Sequence, residues 1–321
     1  MASSTAFSVC PHDCASACGL DVEMEADGRV GRVHGSKDNP YTAGVVCAKV
    51  ARYAERVHHE ERLTKPLRRK GKKSPTATRA DFEEISWDEA LDIVAERFTA
   101  AARKHGPETV WLYNYGGTMG LVQKGSTRHL RNAMGYSRQL DTICAWIFQQ
   151  GAKAGMGKML SVNPLEFRDS DLIVVWGSNP VHTQVNLMTH ISAARKERGA
   201  KLVVIDPYRS ATARLADTHL QLRPGTDGAL AAAVMHCLFR DGHADHEYMA
   251  EYTDDPAALE AHLKTRTPEW AAAITGLSAT EIEEFAQNYG ATQRALIRMG
   301  IGFTRSRNGA ASIHAVSSLP A

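Results

Sequence analysis

Four cysteines near the amino terminus, Cys10, Cys14, Cys18 and Cys47, constrain the fold more than any other feature of the chain. Three lie in the stretch CPHDCASAC, and the fourth follows in VVCAK after 28 intervening residues. Three closely spaced thiolates plus a distant one suit a cubane iron–sulfur cluster, in which each of four irons takes one thiolate. Structural zinc more often sits between two CxxC pairs, and no second pair is present. The spacing favours a [4Fe–4S] cluster, with zinc and unligated or disulfide-bonded cysteines as alternatives. Shared ligation requires the chain to fold Cys47 back onto the tight loop, with all four sulfurs within about 7 Å of one another. Such a centre implies that the chain moves electrons.

The length, 321 residues, allows a large core in about two or three domains. A net charge of +2 and a pI near 8.2 give no pull toward nucleic acid. Six cysteines in a chain this long do not suggest a disulfide framework. No run of about 18 apolar residues marks a membrane span. The start, MASSTAFSVC, carries neither a basic-then-apolar leader nor a twin arginine, so a cytoplasmic location is expected.

Residues 1–60 read as a small domain, with strands at Leu20–Glu25 and Arg29–Val33 joined by an Asp27-Gly28 turn. The stretch KPLRRKGKKSPTATR at 65–79 could meet phosphates. It lacks interleaved aromatics and reads as a solvated linker or hairpin. Ser86 caps a helix with Asp88 and Glu89 in its first turn and an apolar stripe of Ala90, Leu91, Val94, Ala95 and Phe98. A strand at Thr109–Tyr113 and the loop NYGGTMG follow. From Asp171 strands and helices alternate. Strands are expected at Leu172–Trp176, Lys201–Ile205, His219–Arg223 and Arg294–Arg298. Helices are expected near 184–198, 228–240, 255–265, 268–273 and 280–289. The fold class is therefore α/β, a small β-rich iron–sulfur domain followed by a doubly wound, mostly parallel α/β domain. Its divisions are expected at 1–60, 61–150, 151–300 and 301–321.

Three strand ends carry distinctive loops: WGSNP at 176–180, DPYR at 206–209 and RPGTDGAL at 223–230. In such a sheet they share the edge where ligands bind. Glycine permits close backbone approach, helix amino termini donate N–H groups, and carboxylates bond ribose hydroxyls or guanine N–H groups. Each loop alone could be a turn; together they favour a nucleotide-like ligand. A GxGxxG fingerprint is missing, which argues against a simple nicotinamide dehydrogenase.

The order CPHDCASAC, VVCAK, ISWDEALD, YGGTMG, WGSNP, DPYR, LRPGTD resembles the molybdopterin-dinucleotide oxidoreductases, the superfamily of formate dehydrogenases, nitrate reductases and dimethyl sulfoxide reductase. The resemblance implies molybdenum or tungsten held by two pterin guanine dinucleotides, and a [4Fe–4S] cluster on Cys10, Cys14, Cys18 and Cys47. By its match to CAK, Lys49 would lie between cluster and pterin; the alternative is a surface lysine. Gly177, Ser178, Asn179, Pro180, Asp206, Pro207, Gly225 and Asp227 would hold one dinucleotide, and Gly300 and Gly302 of MGIG would line the pterin region. Cys144, about a hundred residues past the last cluster cysteine, stands where the family places its protein ligand to the metal. A thiolate suits that soft site; the alternative is a small buried apolar residue. Cys237 reads as core, and His129, His182 and His190 are possible proton handlers or structural residues.

The sequence departs from the family in having Val50 after Lys49, where glycine is common, and in its length, roughly half that of family members. A missing part, or a separate C-terminal half, is expected to complete the second dinucleotide site and to leave an open face near Cys144 and Leu319, with little activity for this chain alone. The expected function is two-electron chemistry on a small-molecule substrate at a pterin-bound metal, with electrons passed through the cluster to a partner protein. The alternatives are an iron–sulfur electron-transfer module without molybdenum and a metal-free assembly partner.

Overall fold

A computed structural model describes residues 4–117, 121–140, 144–159 and 161–321. The chain divides into two compact units, Met1–Leu140 and Asp141–Ala321. The expected 60/61 division therefore lies inside one unit. The unit boundary falls at 140/141, and the expected 150/151 division lies within the helix Ala145–Met156 of the second unit.

The first unit opens with an antiparallel sheet, β1 (Ser4–Val9), β2 (Gly19–Met24) and β3 (Val30–Gly35), in that order. Ser4 faces Met24 and Val9 faces Gly19, so the three-cysteine loop is the β1–β2 connection. The Asp27-Gly28 turn forms as expected. Gly28 takes a φ of +84°, and Arg29 N–H donates to Asp27 Oδ1 at 3.0 Å. After β3 the chain folds back. Ser36 N–H donates to Gly19 O at 2.8 Å, and Asn39 Oδ1 accepts from the N–H groups of Tyr41 and Thr42, each at 3.0 Å. Cys47 then starts the short helix α1 (Ala48–Ala51), and α2 (Tyr53–Val57) follows.

The basic stretch forms a hairpin, β4 (Leu67–Arg69) with β5 (Phe82–Glu84). Helix α3 (Trp87–His105) starts at Ser86, whose side chain accepts from Glu89 N–H, and ends in Arg103, Lys104 and His105, as its dipole favours. Its apolar stripe is not buried: Leu91 is 61% and Val94 45% exposed, and Phe98 meets Tyr136 edge-on with centroids 6.0 Å apart. The expected strand at Thr109–Tyr113 is replaced by a 3-10 turn (Pro107–Thr109) and a single bridge from Trp111 to Ser137. Among the described residues this single bridge does not grow into a ladder. Helix α4 (Leu121–Met134) completes the unit.

The second unit begins with α5 (Ala145–Met156). Its sheet contains β6 (Leu172–Trp176), β7 (Lys201–Ile205), β8 (Thr218–Leu220) and β9 (Ala295–Met299), in the order β8-β7-β6-β9 with every pair parallel. All five residues of β6 are buried. Strand alternation sends Leu172, Val174 and Trp176 to one face and Ile173 and Val175 to the other. Between β6 and β7 run α6 (Pro180–Thr183) and α7 (Val185–Arg198); Leu187, Ile191 and Ala194 of α7 cover the Ile173 face. Past β8 come α8 (Asp227–Arg240), α9 (His246–Tyr252), α10 (Pro256–Leu263), α11 (Pro268–Thr275) and α12 (Ala279–Ala291). The Trp176 face is covered by α8, α11, α12 and, beyond β9, α13 (Gly309–Ser317). Helices on both faces make this the doubly wound sheet expected from sequence.

Residues 301–321 belong to this core. α13 packs against α5 and α8, and Leu319, expected beside an open face, is only 3% exposed. Cys237 is buried in the same core, where loss of solvent pushes its thiol up to about 11.

Candidate active site

Within the first unit the amino-terminal cysteines lie near enough to act on one another's thiols. Cys18 packs with Leu20, Val33 and Val50 in a small buried core, against which Cys10, Cys47 and Tyr53 lie. Burial first, then repulsion of its thiolate by Cys10, Cys14 and Cys47, pushes the Cys18 thiol up to about 11. Burial, followed by Cys47 and Cys14, also raises Cys10. Cys18 O accepts from Cys10 N–H at 2.9 Å, closing the loop. Cys14 Sγ accepts from Ser16 N–H at 3.5 Å. Val50, where glycine is common in the family, is 1% exposed and forms the floor of this core.

None of these four cysteines is in a disulfide. Among the described residues, no three His, Cys, Asp or Glu side chains are arranged to hold a single metal ion. Four buried side-chain atoms of the same region, His12 Nε2, Ser16 Oγ, Ser36 Oγ and Thr42 Oγ1, lack hydrogen-bond partners. The His12 ring packs on Tyr53 at 5.6 Å. A donor set of four soft sulfurs beside orphaned polar atoms fits a bound inorganic group that offers acceptors of its own. Lys49 is exposed on α1, two residues after Cys47. Gly116 of the NYGG loop sits against the cysteine loop, since a Cβ there would lie 3.3 Å from Asp13 Oδ2. Thr118, Met119 and Gly120, the rest of that loop, lie outside the described residues.

In the second unit the strand-end loops gather at the carboxyl edge of the parallel sheet. Gly177 turns with a φ of +63° and donates its N–H to Ile205 O at 2.9 Å. Gly300 N–H donates to Trp176 O at 2.7 Å, and Gly302 N–H to Gly177 O at 3.1 Å. A Cβ on Gly300 would come within 2.6 Å of Ser178 Cβ. The glycines of MGIG are thus required by packing of two loops on each other. Asn179 Oδ1 accepts from Thr212 Oγ1 at 2.7 Å and Thr212 N–H at 3.2 Å, fastening WGSNP to the chain after DPYR. Pro180 is buried, and Pro207 O accepts from Gln221 Nε2 at 3.2 Å. Gly225 has a φ of +79°, and its carbonyl accepts from Asn308 Nδ2 at 2.8 Å.

The two carboxylates chosen from sequence have different surroundings. Asp227 is buried, and its Oδ1 accepts from the indole Nε1–H of Trp176 at 2.8 Å. Burial raises its pKa, and Asp206 nearby raises it further. Asp206 is half-buried and accepts from Tyr208 N–H at 2.9 Å; burial raises it as well. Asp206 therefore remains the more available of the two for a ligand's N–H or hydroxyl donors.

Cys144, the residue just before α5, is half-buried, and its Sγ accepts from Arg305 Nη2 at 3.2 Å. Arg305 ends the 3-10 turn Ile301–Arg305 that follows MGIG, so Cys144 faces the loop edge. Sequence reasoning missed Arg305; its place three residues past Gly302 was the available signal. His190 is buried on α7, His182 lies on α6, and His129 is exposed on α4. His182 stands two residues past the WGSNP loop, on the helix that begins at Pro180.

Comparison with known proteins bears on this arrangement. The Molybdopterin oxidoreductase family model matches residues 62–321, and the Molybdopterin oxidoreductase Fe4S4 domain model matches residues 4–59. A probable oxidoreductase of Bacillus subtilis, YoaE, is 39% identical over 98% of this chain and 45% of its own length. Formate dehydrogenase H of Escherichia coli is 28% identical over 97% of the chain and 43% of its own length. Among solved structures, acetylene hydratase from Pelobacter acetylenicus superposes with a TM-score of 0.80 at 25% identity, over 98% of this chain and 43% of that one. The chain spans less than half the length of the curated relatives it matches.

Proposed function

Since this chain belongs to the molybdopterin oxidoreductase family, we propose that it is the cluster-bearing and dinucleotide-binding part of a molybdenum or tungsten enzyme performing two-electron chemistry on a small molecule. The single observation that supports this reading is the packing of Cys10 and Cys47 against the core of Cys18, with Cys14 near enough to raise the Cys18 thiol. When bound, the metal and its pterins supply the exchange of an atom or hydride with substrate, and the cluster supplies a path for electrons. The protein's own residues hold these groups. The four thiolates take the cluster, and Lys49 offers a cation on the adjoining helix. Backbone N–H groups of the WGSNP and PGTD loops, with Asp206, receive one guanine dinucleotide. Cys144 offers a thiolate to the metal, and Arg305 steadies that sulfur. Substrate, electron-accepting partner and any further polypeptide that covers the second dinucleotide are part of this proposal.

Metal and pterin analysis of anaerobically purified full-length protein tests the reading, followed by a substrate screen with and without an artificial electron acceptor. Iron together with molybdenum or tungsten and a released guanine nucleotide is expected. Iron alone would favour an electron-transfer module, and an iron-free protein would overturn the proposal. Turnover that needs no acceptor would point to hydration rather than redox chemistry, the reaction named for acetylene hydratase.

A further inference from the structure

The CPHDCASAC loop brings main-chain donors to its own sulfurs. Ser16 N–H donates to Cys14 Sγ at 3.5 Å. Burial raises the Cys10 thiol, and a hydrogen bond from His12 N–H works against that rise. Two side chains of the same loop end in buried polar atoms without a partner, His12 Nε2 and Ser16 Oγ. Ser36 Oγ and Thr42 Oγ1 share that condition, but their N–H groups serve Gly19 O and Asn39 Oδ1 rather than a cysteine. Ser16 is only 4% exposed, and its short side chain keeps Oγ close to the nitrogen that already touches Cys14 Sγ. A hydroxyl always carries a proton to donate, whereas a given nitrogen of a neutral imidazole does so in one tautomer only. After Ser16 the backbone turns back: Ala17 takes a φ of +42°, and Cys18 O accepts from Cys10 N–H at 2.9 Å. Ser16 therefore lies on a closed turn between Cys14 and Cys18, with a buried proton and, among the described residues, no acceptor for it.

We infer that Ser16 Oγ–H donates to a sulfur of the cluster bound by these cysteines and raises the cluster's reduction potential. The inference rests on the reading of the four cysteines as cluster ligands. The sulfurs of such a cluster, bridging sulfide and ligating thiolate alike, carry negative charge and accept hydrogen bonds. An added electron increases that charge, so a donor bond strengthens on reduction and favours the reduced state. Burial sharpens the effect, because water does not compete for the donor and the local dielectric is low. Ser16 is thus a positioning residue. It ligates nothing, and it adjusts the electron affinity of the group that its neighbours ligate.

The test uses full-length protein purified anaerobically, with the potential read by redox titration followed by electron paramagnetic resonance. Ser16→Ala should retain the parent's iron and acid-labile sulfide. At the parent's midpoint potential its reduced-to-oxidised ratio should fall about three- to tenfold, the upper bound being ~59 mV for a one-electron couple. Electron–nuclear double resonance of the reduced cluster in H₂O and D₂O should show that Ser16→Ala has lost one exchangeable coupled proton. Ser16→Thr and Ser16→Val, close in shape, differ in the hydroxyl. The Thr variant should stay near the parent potential and the Val variant should fall with Ala. Equal potentials in Thr and Val would overturn the inference. So would a shift in Ser16→Ala without loss of the proton, since repacking alone moves the first readout and not the second. If Ser16→Ala does not hold iron, the Thr and Val pair decides. Iron retained by Thr and lost by Val would support the bond. Loss from Ser16→Thr as well would overturn it, because a side chain that keeps the hydroxyl should keep the bond. A parent protein without iron and sulfide would refute the cluster itself, and the inference with it.

Discussion

Around the four thiols the buried apolar core consists of Cys18, Leu20, Val33 and Val50, whereas the parallel sheet of the second unit separates two extensive cores. The polar groups differ as well. Four orphaned buried side-chain atoms lie in the cysteine region, while among the described residues of the second unit only Ser312 Oγ is in that condition. Each such group costs about 1–3 kcal/mol when left unpaired. A small region with little apolar burial and several unpaired polar groups is stabilised by a metal group, as small metal-bearing domains are. The parallel sheet is stabilised by its own side chains. The comparison teaches that loss of inorganic cofactor should undo the first region and leave the second standing.

The largest expected effect breaks that comparison if it fails. Replacing Cys18 and Cys47 together by Ser should speed amide exchange in residues 4–59 by about a hundredfold, ~2.7 kcal/mol, with the amides of β6 and β7 unchanged. Hydrogen-exchange mass spectrometry checks both halves of that statement. Next in size is Gly300→Val, which forces a side chain into Ser178 and the Gly177 backbone. It should cost about 1–3 kcal/mol in urea unfolding of the second unit and leave the iron content unchanged.

The Trp176–Asp227 bond gives a finer test. Asp227→Ala leaves the indole N–H unpaired and should cost about 1–3 kcal/mol. Asp227→Asn keeps an acceptor and should cost far less. Burial raises the Asp227 pKa in the folded protein, so its ionised form is disfavoured there. The stability present below the ordinary carboxylate pKa is lost as pH rises through the raised value. The urea midpoint of Asp227→Asn, relative to the parent, should therefore be higher at pH 7 than at pH 4. The smallest effect is expected on the surface: Arg68→Ala removes exposed pairs to Glu83 and Glu89 and should change stability by about 0.2–1 kcal/mol.

What could be read from sequence follows the same divide. The second unit was legible because β6 and β7 are continuous apolar runs and the glycine- and aspartate-bearing loops mark their ends. Strand β1 escaped notice because all six of its residues are exposed, so no apolar alternation marks it. The run at Thr109–Tyr113 misled for the converse reason: strand-like residues form no strand without a partner. The fold-back that packs Cys47 beside Cys10 and Cys18 was legible from spacing and the Asp27-Gly28 turn. The contact of Arg305 with Cys144 spans 161 positions, so only the place of Arg305 just past MGIG hinted at it. Nor does sequence reveal that Asp227 serves a buried indole rather than standing open to a ligand, since both uses place an acid at a helix start.

The central claim, that the chain folds around one cluster held by Cys10, Cys14, Cys18 and Cys47, is tested most directly by iron and sulfide analysis. Anaerobically purified protein would be assayed together with electron paramagnetic resonance of the dithionite-reduced sample. The account predicts about four iron and four acid-labile sulfide ions per chain and the signal of a single reduced cubane, both lost on replacing Cys47 by Ser. Stoichiometric zinc without sulfide, or an unchanged cluster in Cys47→Ser, would contradict it.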